Sequence, residues 1–351
     1  MRVTVTGATS ARREYSRSST AVAVVIPCYR VKRHLVPLIA RIGPEVDSIY
    51  LVDDACPEGS TVGIADLTSD PRIRVLRHDV NQGVGGAVLT GYSAALANGA
   101  DILVKLDGDG QMDPGLIPAL IQPIVGGEAD YAKGNRFFDL RGIHAMPKLR
   151  IFGNLGLSFL SKLSTGYWDI FDPTNGFTAI HANVARRLPF ESISRRYFFE
   201  TDILFRLNTL RAVVIDVPMD AAYGDEESGL RVSEIFGEFL AKHLRNTCKR
   251  IFYNYFLRDL SVASIELLAG VGLLTFGVSF GSYNWLLSAS AGAPTPVGTI
   301  MIVTVALVTG LQFLLAFLGY DIASTPRRPI HGFITAMREQ KKFQTRPDHD
   351  V

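Results

Sequence analysis

The chain has 351 residues, 47% of them hydrophobic and 20% charged, which is too apolar for a disordered protein and long enough for about two domains. Lys and Arg total 36 against 34 Asp and Glu, a formal net charge of +2, so the basic surplus of a nucleic-acid binder is absent. The three cysteines, Cys28, Cys56 and Cys248, include no CxxC pair and exclude a disulfide framework, and the seven histidines offer no HxxxH zinc spacing.

Residues 1–20 are polar, rich in Arg and Ser, and lack the apolar core of a signal peptide, so they read as a flexible tail. From Ala21 onward, short β-branched runs (AVAVVIP, SIYLVDD, RIRVLRH, DILVKLDGD) each end in polar or turn residues. Helical segments are predicted between them at Leu35–Ile42, weakly near Ser60–Leu67, and at Gly85–Ala97. This alternation predicts an α/β fold with a mainly parallel sheet, in which ligands bind beyond the carboxyl ends of the strands.

The last third changes character. Val262–Leu287 holds one charge, Glu266, and Val297–Tyr320 holds none. Each is long enough to cross a hydrocarbon core of ~30 Å, which needs about 20 helical residues. Two buried helices of a soluble core are the plainer alternative. Glu266 is costly in hydrocarbon and must face a partner helix, a subunit interface or the bilayer edge. Cations precede the first span (Lys242, Arg245, Lys249, Arg250, Arg258) and follow the second (Arg327, Arg328), while the Ser288–Pro296 connector is uncharged. The positive-inside rule then places both chain ends in the cytoplasm. Before the hairpin, Phe236, Leu240, Leu244, Cys248 and Phe252 recur every four residues with Lys242, Arg245 and Lys249 on a neighbouring flank. Such an amphipathic helix suits a headgroup layer or packing on the preceding domain, and different faces could serve both.

The chemistry concentrates in KLDGDGQMDP, Lys105–Pro114. Asp107 and Asp109 stand two apart where an apolar strand ends, so in an extended segment both carboxylates point the same way. Hard divalent ions such as Mg²⁺ or Mn²⁺ take such oxygen ligands, and Gln111 and Asp113 are near enough to complete or orient the set. An acidic turn is the simpler reading of a lone DxD. Asp53 and Asp54, closing the second strand, suit a nucleobase or ribose contact, or equally an N-cap or turn. NQGVGGA, Asn81–Ala87, imitates a dinucleotide fingerprint, but it follows a third strand and has Val88 at the last glycine position. Its glycines instead suggest close approach of the backbone to a nucleotide.

Taken in order, IPCY (Ile26–Tyr29), LVDD (Leu51–Asp54), NQGVGGA, DGDGQMDP, GNRF (Gly134–Phe137) and DPTNGF (Asp172–Phe177) resemble the family-2 glycosyltransferases of the GT-A fold. With the two C-terminal spans the chain resembles the membrane-anchored polyprenyl-phosphate glycosyltransferases, which include the dolichol-phosphate mannose synthases. The resemblance implies a tail at 1–20, a GT-A domain at 21–230, an amphipathic juxtamembrane helix at 231–260, a two-helix hairpin at 261–321 (spans 262–287 and 297–320) and a cytoplasmic tail at 322–351. It implies nucleotide contacts from Pro27, Tyr29, Asp53, Asp54, Gly83, Gly85 and Asp107, and a Mg²⁺ or Mn²⁺ site at Asp107, Asp109 and Gln111. Sugar and acceptor contacts fall to Arg136, Asp172, Asn175, Gly176 and Ser228. Glu200 and Asp202, in FFETDILFRL, join Asp107 and Asp109 as catalytic candidates.

The implied reaction moves one sugar, with inversion, from a UDP- or GDP-hexose to a polyprenyl phosphate at the cytoplasmic face of the cell membrane. The expected partners are a nucleotide-sugar donor, the lipid acceptor, the bilayer and further copies of the chain, with no nucleic acid. Arg30 and Val31 replace the Asn-Glu common after the tyrosine, Gly229 replaces a frequent lysine, and the QxxRW sequence of processive synthases is missing. Two alternatives are transfer to a hydroxyl of a glycan or glycolipid, and a catalytically inactive lipid-binding scaffold.

Overall fold

The computed structural model describes residues 20–64, 68–136, 148–219 and 232–344. The four apolar runs become β1 (Val22–Cys28), β2 (Ser48–Asp53), β3 (Ile73–Arg77) and β4 (Ile102–Lys105); the first three lie within one residue of their runs, while β4 stops four residues before the end of DILVKLDGD, where the acidic turn begins. Three more strands, β5 (Tyr131–Asn135), β6 (Thr178–His181) and β7 (Val214–Pro218), complete a seven-stranded sheet of order β3-β2-β1-β4-β6-β5-β7. All pairings are parallel except those of β6, which runs against both β4 and β5.

Both faces of the sheet are covered, which explains why the central strands read as nearly continuous apolar runs. Along β1, Ala23 and Val25 enter one core with α2 (Val84–Ala97) and α6 (Phe199–Leu210). Val22, Val24 and Ile26 enter the other with α1 (Lys32–Ala40) and α3 (Ile117–Val125). The remaining helices of this part are α4 (Lys148–Thr165) and the single turn α5 (Ala182–Ala185). The expected N-terminal tail lies outside the described residues apart from Thr20, as does the boundary at 230–231.

Helix α7 (Val232–Phe252) inverts the usual logic of an amphipathic helix. Its polar stripe is the buried one: His243, Asn246 and Arg250 are 1%, 5% and 2% exposed. Leu244, Cys248 and Phe252, from the predicted apolar face, stay uncovered. The helix therefore packs on the domain through its polar stripe and leaves its apolar stripe open.

Arg250 reaches the deepest partners. It pairs with Asp321 (Nη1–Oδ1 2.6 Å, Nη2–Oδ2 2.9 Å), which also accepts from Tyr255 Oη at 2.6 Å and Trp168 Nε1 at 2.9 Å. Its Nη2 donates further to the Leu163 carbonyl at 2.9 Å. Tyr255 sits in the π-helical turn Tyr253–Leu257, and Asp321 lies near the end of the second long helix. One buried ion pair thus joins the domain, the juxtamembrane helix and the hairpin.

The hairpin comprises α8 (Val262–Ala291) and α9 (Val297–Ala323), longer than the predicted spans by four and three residues. Both are long and apolar enough to cross a membrane, and most of each lies uncovered within the chain. Glu266 is the fifth residue of α8, at the end nearest the domain.

The stretch expected as a tail is partly a docked helix, α10 (His331–Gln344). Asp130, fully buried, accepts from the Ile330 and His331 amides at 2.8–2.9 Å and from His331 Nδ1 at 2.8 Å, so it serves the helix start as a cap. The His331 ring stacks on His181, centroids 4.4 Å apart. Asn183 donates to Thr335 Oγ1 at 2.8 Å and accepts from Arg338 at 2.7 Å.

Two of these docking contacts make stability acid-sensitive. Burial, then the neighbouring His331, pulls His181 down to about 4, and burial pulls His243 down to about 4. Unfolded histidine takes up its proton near pH ~6.5, so the native state is fully favoured above that value. It loses that advantage as pH falls toward 4. We expect the unfolding temperature in detergent to drop steadily between pH 6.5 and 4.5, and His243→Gln to flatten part of the slope. A melting temperature constant across that range would contradict the assignment.

Candidate active site

The reversed strand β6 builds the site. Because it runs against β4, the loop entering it, Asp172–Phe177, arrives at the edge where β4 releases Lys105–Pro114. Lys105 of β4 and Lys133 of β5 both stand opposite Thr178. All three side chains therefore share one face of the sheet, the face on which α6 begins.

Lys105 is buried, and its ammonium donates to Asp107 Oδ1 at 2.7 Å and to the Gly176 carbonyl at 3.2 Å, with Glu200 Oε1 3.1 Å away. Burial alone would lower its pKa; the charges of Asp107 and Glu200 outweigh that and hold the ammonium above its ordinary value. Lys133, also fully buried, donates to the Asn175 carbonyl. Burial, opposed by Asp172 and Glu200, brings it down to about 8. Arg136, at the end of β5, grips Asp172 with Nε at 2.8 Å and Nη2 at 3.1 Å. Burial pushes Asp172 up, yet Arg136 and Lys133 keep its carboxyl below the ordinary range.

Gly176 lies tight against two side-chain ends. A Cβ there would sit 2.2 Å from Asp107 Oδ2 and 2.4 Å from Lys105 Nζ. The missing methyl lets the loop close over the carboxylate while leaving that oxygen room. Asp107 remains 28% exposed. Asp109 Oδ1 accepts from the half-buried Gln111's amide at 3.0 Å. Asp113 caps the next helical turn through the Gly115 amide at 2.9 Å and pairs with the exposed Arg41 at 2.6 Å, so it serves the turn rather than the cluster.

The other acidic residues divide by what they hold. Asp53 accepts from the Cys56 amide at 2.9 Å and Thr61 Oγ1 at 2.7 Å. Asp54 accepts from the Gln82 and Gly83 amides, both at 2.8 Å, and meets His78 Nδ1 at 2.7 Å. Both aspartates are buried and brace the rim from within. Gly83 takes φ +86°, and a Cβ there would lie 2.7 Å from the Arg195 carbonyl. A Cβ on Gly85 would lie 2.6 Å from the Ser194 carbonyl. The close approach expected against a nucleotide is made, in the chain itself, against residues 194–196. Tyr29 is exposed with Arg30 over its ring at 5.5 Å, and Pro27 is half-buried in β1. Ser228 lies outside the described residues.

Glu200 and Asp202 part company. Two residues apart on α6, they point to different sides of the helix. Glu200 faces Lys105. Asp202 accepts from the Ser194 amide at 2.9 Å, Arg206 Nε at 3.3 Å and Asn246 Nδ2 at 3.0 Å, which ties α6 to the juxtamembrane helix. Lys105 carries no expected role in KLDGDGQMDP, and Lys133 lies outside every motif. The available signal was a lysine amid apolar strand residues, in LVKLD and in YAKGN.

Among the described residues, no three His, Cys, Asp or Glu side chains are grouped to enclose a metal ion. A magnesium-like ion needs less: one or two carboxylates, with waters and substrate phosphates completing the shell. The hard oxygens of the Asp107–Gln111 turn, with Asp107 Oδ2 given room by Gly176, fit that requirement.

A mixed sheet with one reversed strand and an acidic turn at its carboxyl edge defines a GT-A-type glycosyltransferase domain. The chain belongs to glycosyl transferase family 2, whose model matches residues 23–188. It is 30% identical over 204 residues to the undecaprenyl-phosphate mannosyltransferase of Micrococcus luteus, covering 56% of this chain and 82% of that one. It is 27% identical over 216 residues to the UDP-N-acetylglucosamine–dolichyl-phosphate N-acetylglucosaminyltransferase of Methanococcus voltae, covering 58% and 86%. Among solved structures, glucosyl-3-phosphoglycerate synthase from Mycobacterium tuberculosis, in complex with Mn²⁺, UDP-glucose and phosphoglyceric acid, superposes with a TM-score of 0.50 at 18% identity. That match covers 66% of this chain and 79% of that one and reflects the shared fold.

Proposed function

We propose that this glycosyltransferase moves one sugar from a nucleoside-diphosphate sugar to a polyprenyl phosphate beside the bilayer, at the cytoplasmic face. The observation that carries the reading is the direct docking of the acidic site's domain onto a membrane-length hairpin through Arg250 and Asp321. A polyprenyl tail resists leaving the membrane by ~0.8 kcal/mol for each buried CH₂, so an enzyme fixed to the hairpin meets its acceptor at high local concentration. The open stripe of Leu244, Cys248 and Phe252 supports a helix lying at that surface.

Asp107 and Asp109, oriented by Gln111, would hold Mg²⁺ or Mn²⁺, which when bound supplies positive charge to the departing diphosphate. The chain's own groups do the rest. Lys105 pairs with the Asp107 and Glu200 carboxylates, Arg136 grips Asp172 of the Asp172–Phe177 loop, and Asp54 fixes the loop beside the nucleotide edge. The acceptor, a phosphate monoester with a second pKa of ~6, arrives already ionised at neutral pH. Glu200 therefore orients the acceptor and need not take a proton.

This separates the two acceptor classes. With a phosphate acceptor, Glu200→Gln is expected to cost about tenfold in kcat, well below the ~10²–10⁴ carried by a true general base. Asp202→Asn should lower thermal stability more than turnover. Abolished turnover in Glu200→Gln alone would favour a hydroxyl acceptor. The decisive experiment incubates the full chain in detergent with undecaprenyl phosphate, Mg²⁺ or Mn²⁺ and a panel of radiolabelled UDP- and GDP-sugars. Organic-extractable label supports the proposal, and nucleotide release with no glycolipid across the panel overturns it.

A further inference from the structure

We propose that Lys105 and Lys133 are positioning residues: two buried ammonium groups that hold successive carbonyls of the Asp172–Phe177 loop and so fix that loop against the Asp107 carboxylate. The inference rests on the reaction proposed above for its turnover readout, but its structural readout is independent of any substrate.

The register supplies the first support. Both lysines flank Thr178 of the reversed strand, so they rise side by side beneath the loop that enters it. Neither is solvated: their exposures are 1% and 0%. A buried ammonium is costly unless its hydrogens find acceptors, and Met or Leu would fill such a sheet position without that cost. The hydrogen bonds supply the second support. Lys105 has three N–H groups and three acceptors: Asp107, Glu200 and the Gly176 carbonyl. It thereby ties the metal-site carboxylate, the start of α6 and the loop to one point. Lys133 takes the preceding carbonyl, that of Asn175. Asn175 Oδ1 in turn accepts from the Phe177 amide at 2.9 Å, which closes the turn. Gly176, with no Cβ, sits between the two anchored carbonyls and Asp107. If either cation is lost, the loop's distance from Asp107 is no longer set.

The charged groups facing Lys133 are Asp172, Glu200 and Asp216 in its favour and Lys105 against it. Its proton is the most readily lost of the buried cations around the loop, with a pKa brought down to about 8.

The test uses the full chain in detergent, as wild type, Lys105→Met and Lys133→Met. Hydrogen exchange is followed at the amides of residues 175–177, with glycolipid formation measured in parallel. Both variants are expected to exchange faster across the loop, and to lose kcat by about a hundredfold, as misplacement by an ångström does, with the donor KM little changed. Wild-type loop protection, corrected for the intrinsic rate, is expected to fall between pH 7 and 9 with a midpoint near the Lys133 value of about 8. This last measurement needs no variant and stands even if a methionine substitution fails to fold. The proposal is overturned by unchanged loop exchange in Lys133→Met, by pH-independent wild-type protection, or by variants that lose only melting temperature while kcat and KM hold. If wild type makes no glycolipid but its loop loosens as described, the assigned reaction fails and the clamp stands.

Discussion

Asparagine at position 107 or 109 is expected to cut glycolipid formation by about 10²–10³-fold, the usual loss when one preorganised electrostatic contact is removed from a reacting site. Asparagine keeps the shape of the side chain and removes its charge, so the effect isolates the negative potential at the carboxyl edge of β4. The two variants should differ in stability. Asp107 Oδ1 is a partner of the buried Lys105 ammonium, so Asp107→Asn leaves Lys105 with Glu200 as its one carboxylate beside the Gly176 carbonyl and should melt lower. Asp109 binds the Gln111 amide in the turn, and Asp109→Asn should melt close to wild type. Initial rates over a Mn²⁺ titration, with melting curves on the same samples, check both statements. Normal turnover in either variant would remove the acidic turn from the mechanism.

Asp321→Ala is expected to destabilise the chain by about 3–5 kcal/mol, the cost of leaving one partner of a buried ion pair uncompensated. Arg250 is 2% exposed and would be stranded beside Trp168 and Tyr255, whose polar hydrogens lose their acceptor as well. The double variant Arg250→Met/Asp321→Leu should recover much of the loss, because a packed apolar pair of similar volume is often no less stable than a buried ion pair. Thermal unfolding in detergent and the rate of proteolysis between the domain and the hairpin measure the two effects. A single variant that unfolds like wild type would mean that the hub does not hold the hairpin to the domain.

The early strands were legible because their β-branched runs stop at polar residues, as SIYLVDD does at its aspartates, whereas DILVKLDGD runs on into the acidic turn and hides the end of β4. The reversal of β6 was not legible, because TAIH looks the same in either direction and its orientation is decided by the chain entering from Asp172–Phe177. In the juxtamembrane helix, sequence offered two faces without saying which residues the domain would take. Its four-residue apolar period was real, but a polar surface on the domain (Ser164, Asp202, the Leu163 carbonyl) selects His243, Asn246 and Arg250 for burial. Hydropathy alone cannot report that preference.

At the site, the DxD and the DPTNGF loop were readable as motifs, and the geometry joins them through Lys105. FFETDILFRL presents Glu200 and Asp202 as one acidic pair, and only the helix separates them, since a two-residue step turns a side chain to the far side. The buried lysines were harder to interpret. A cation inside an apolar strand makes sense only once the carboxylates and carbonyls that neutralise it, distant in sequence, are brought to the same edge.

The cap that Asp130 provides for residues 330–331 also constrains threading. The segment after the hairpin returns to the body from which the hairpin departed, so any barrier crossed by α8 is recrossed by α9 and the number of passages is even. If the hairpin spans a bilayer, a reporter enzyme fused at the carboxyl terminus is expected to report the domain's side, and one spliced into the short 292–296 turn the opposite side.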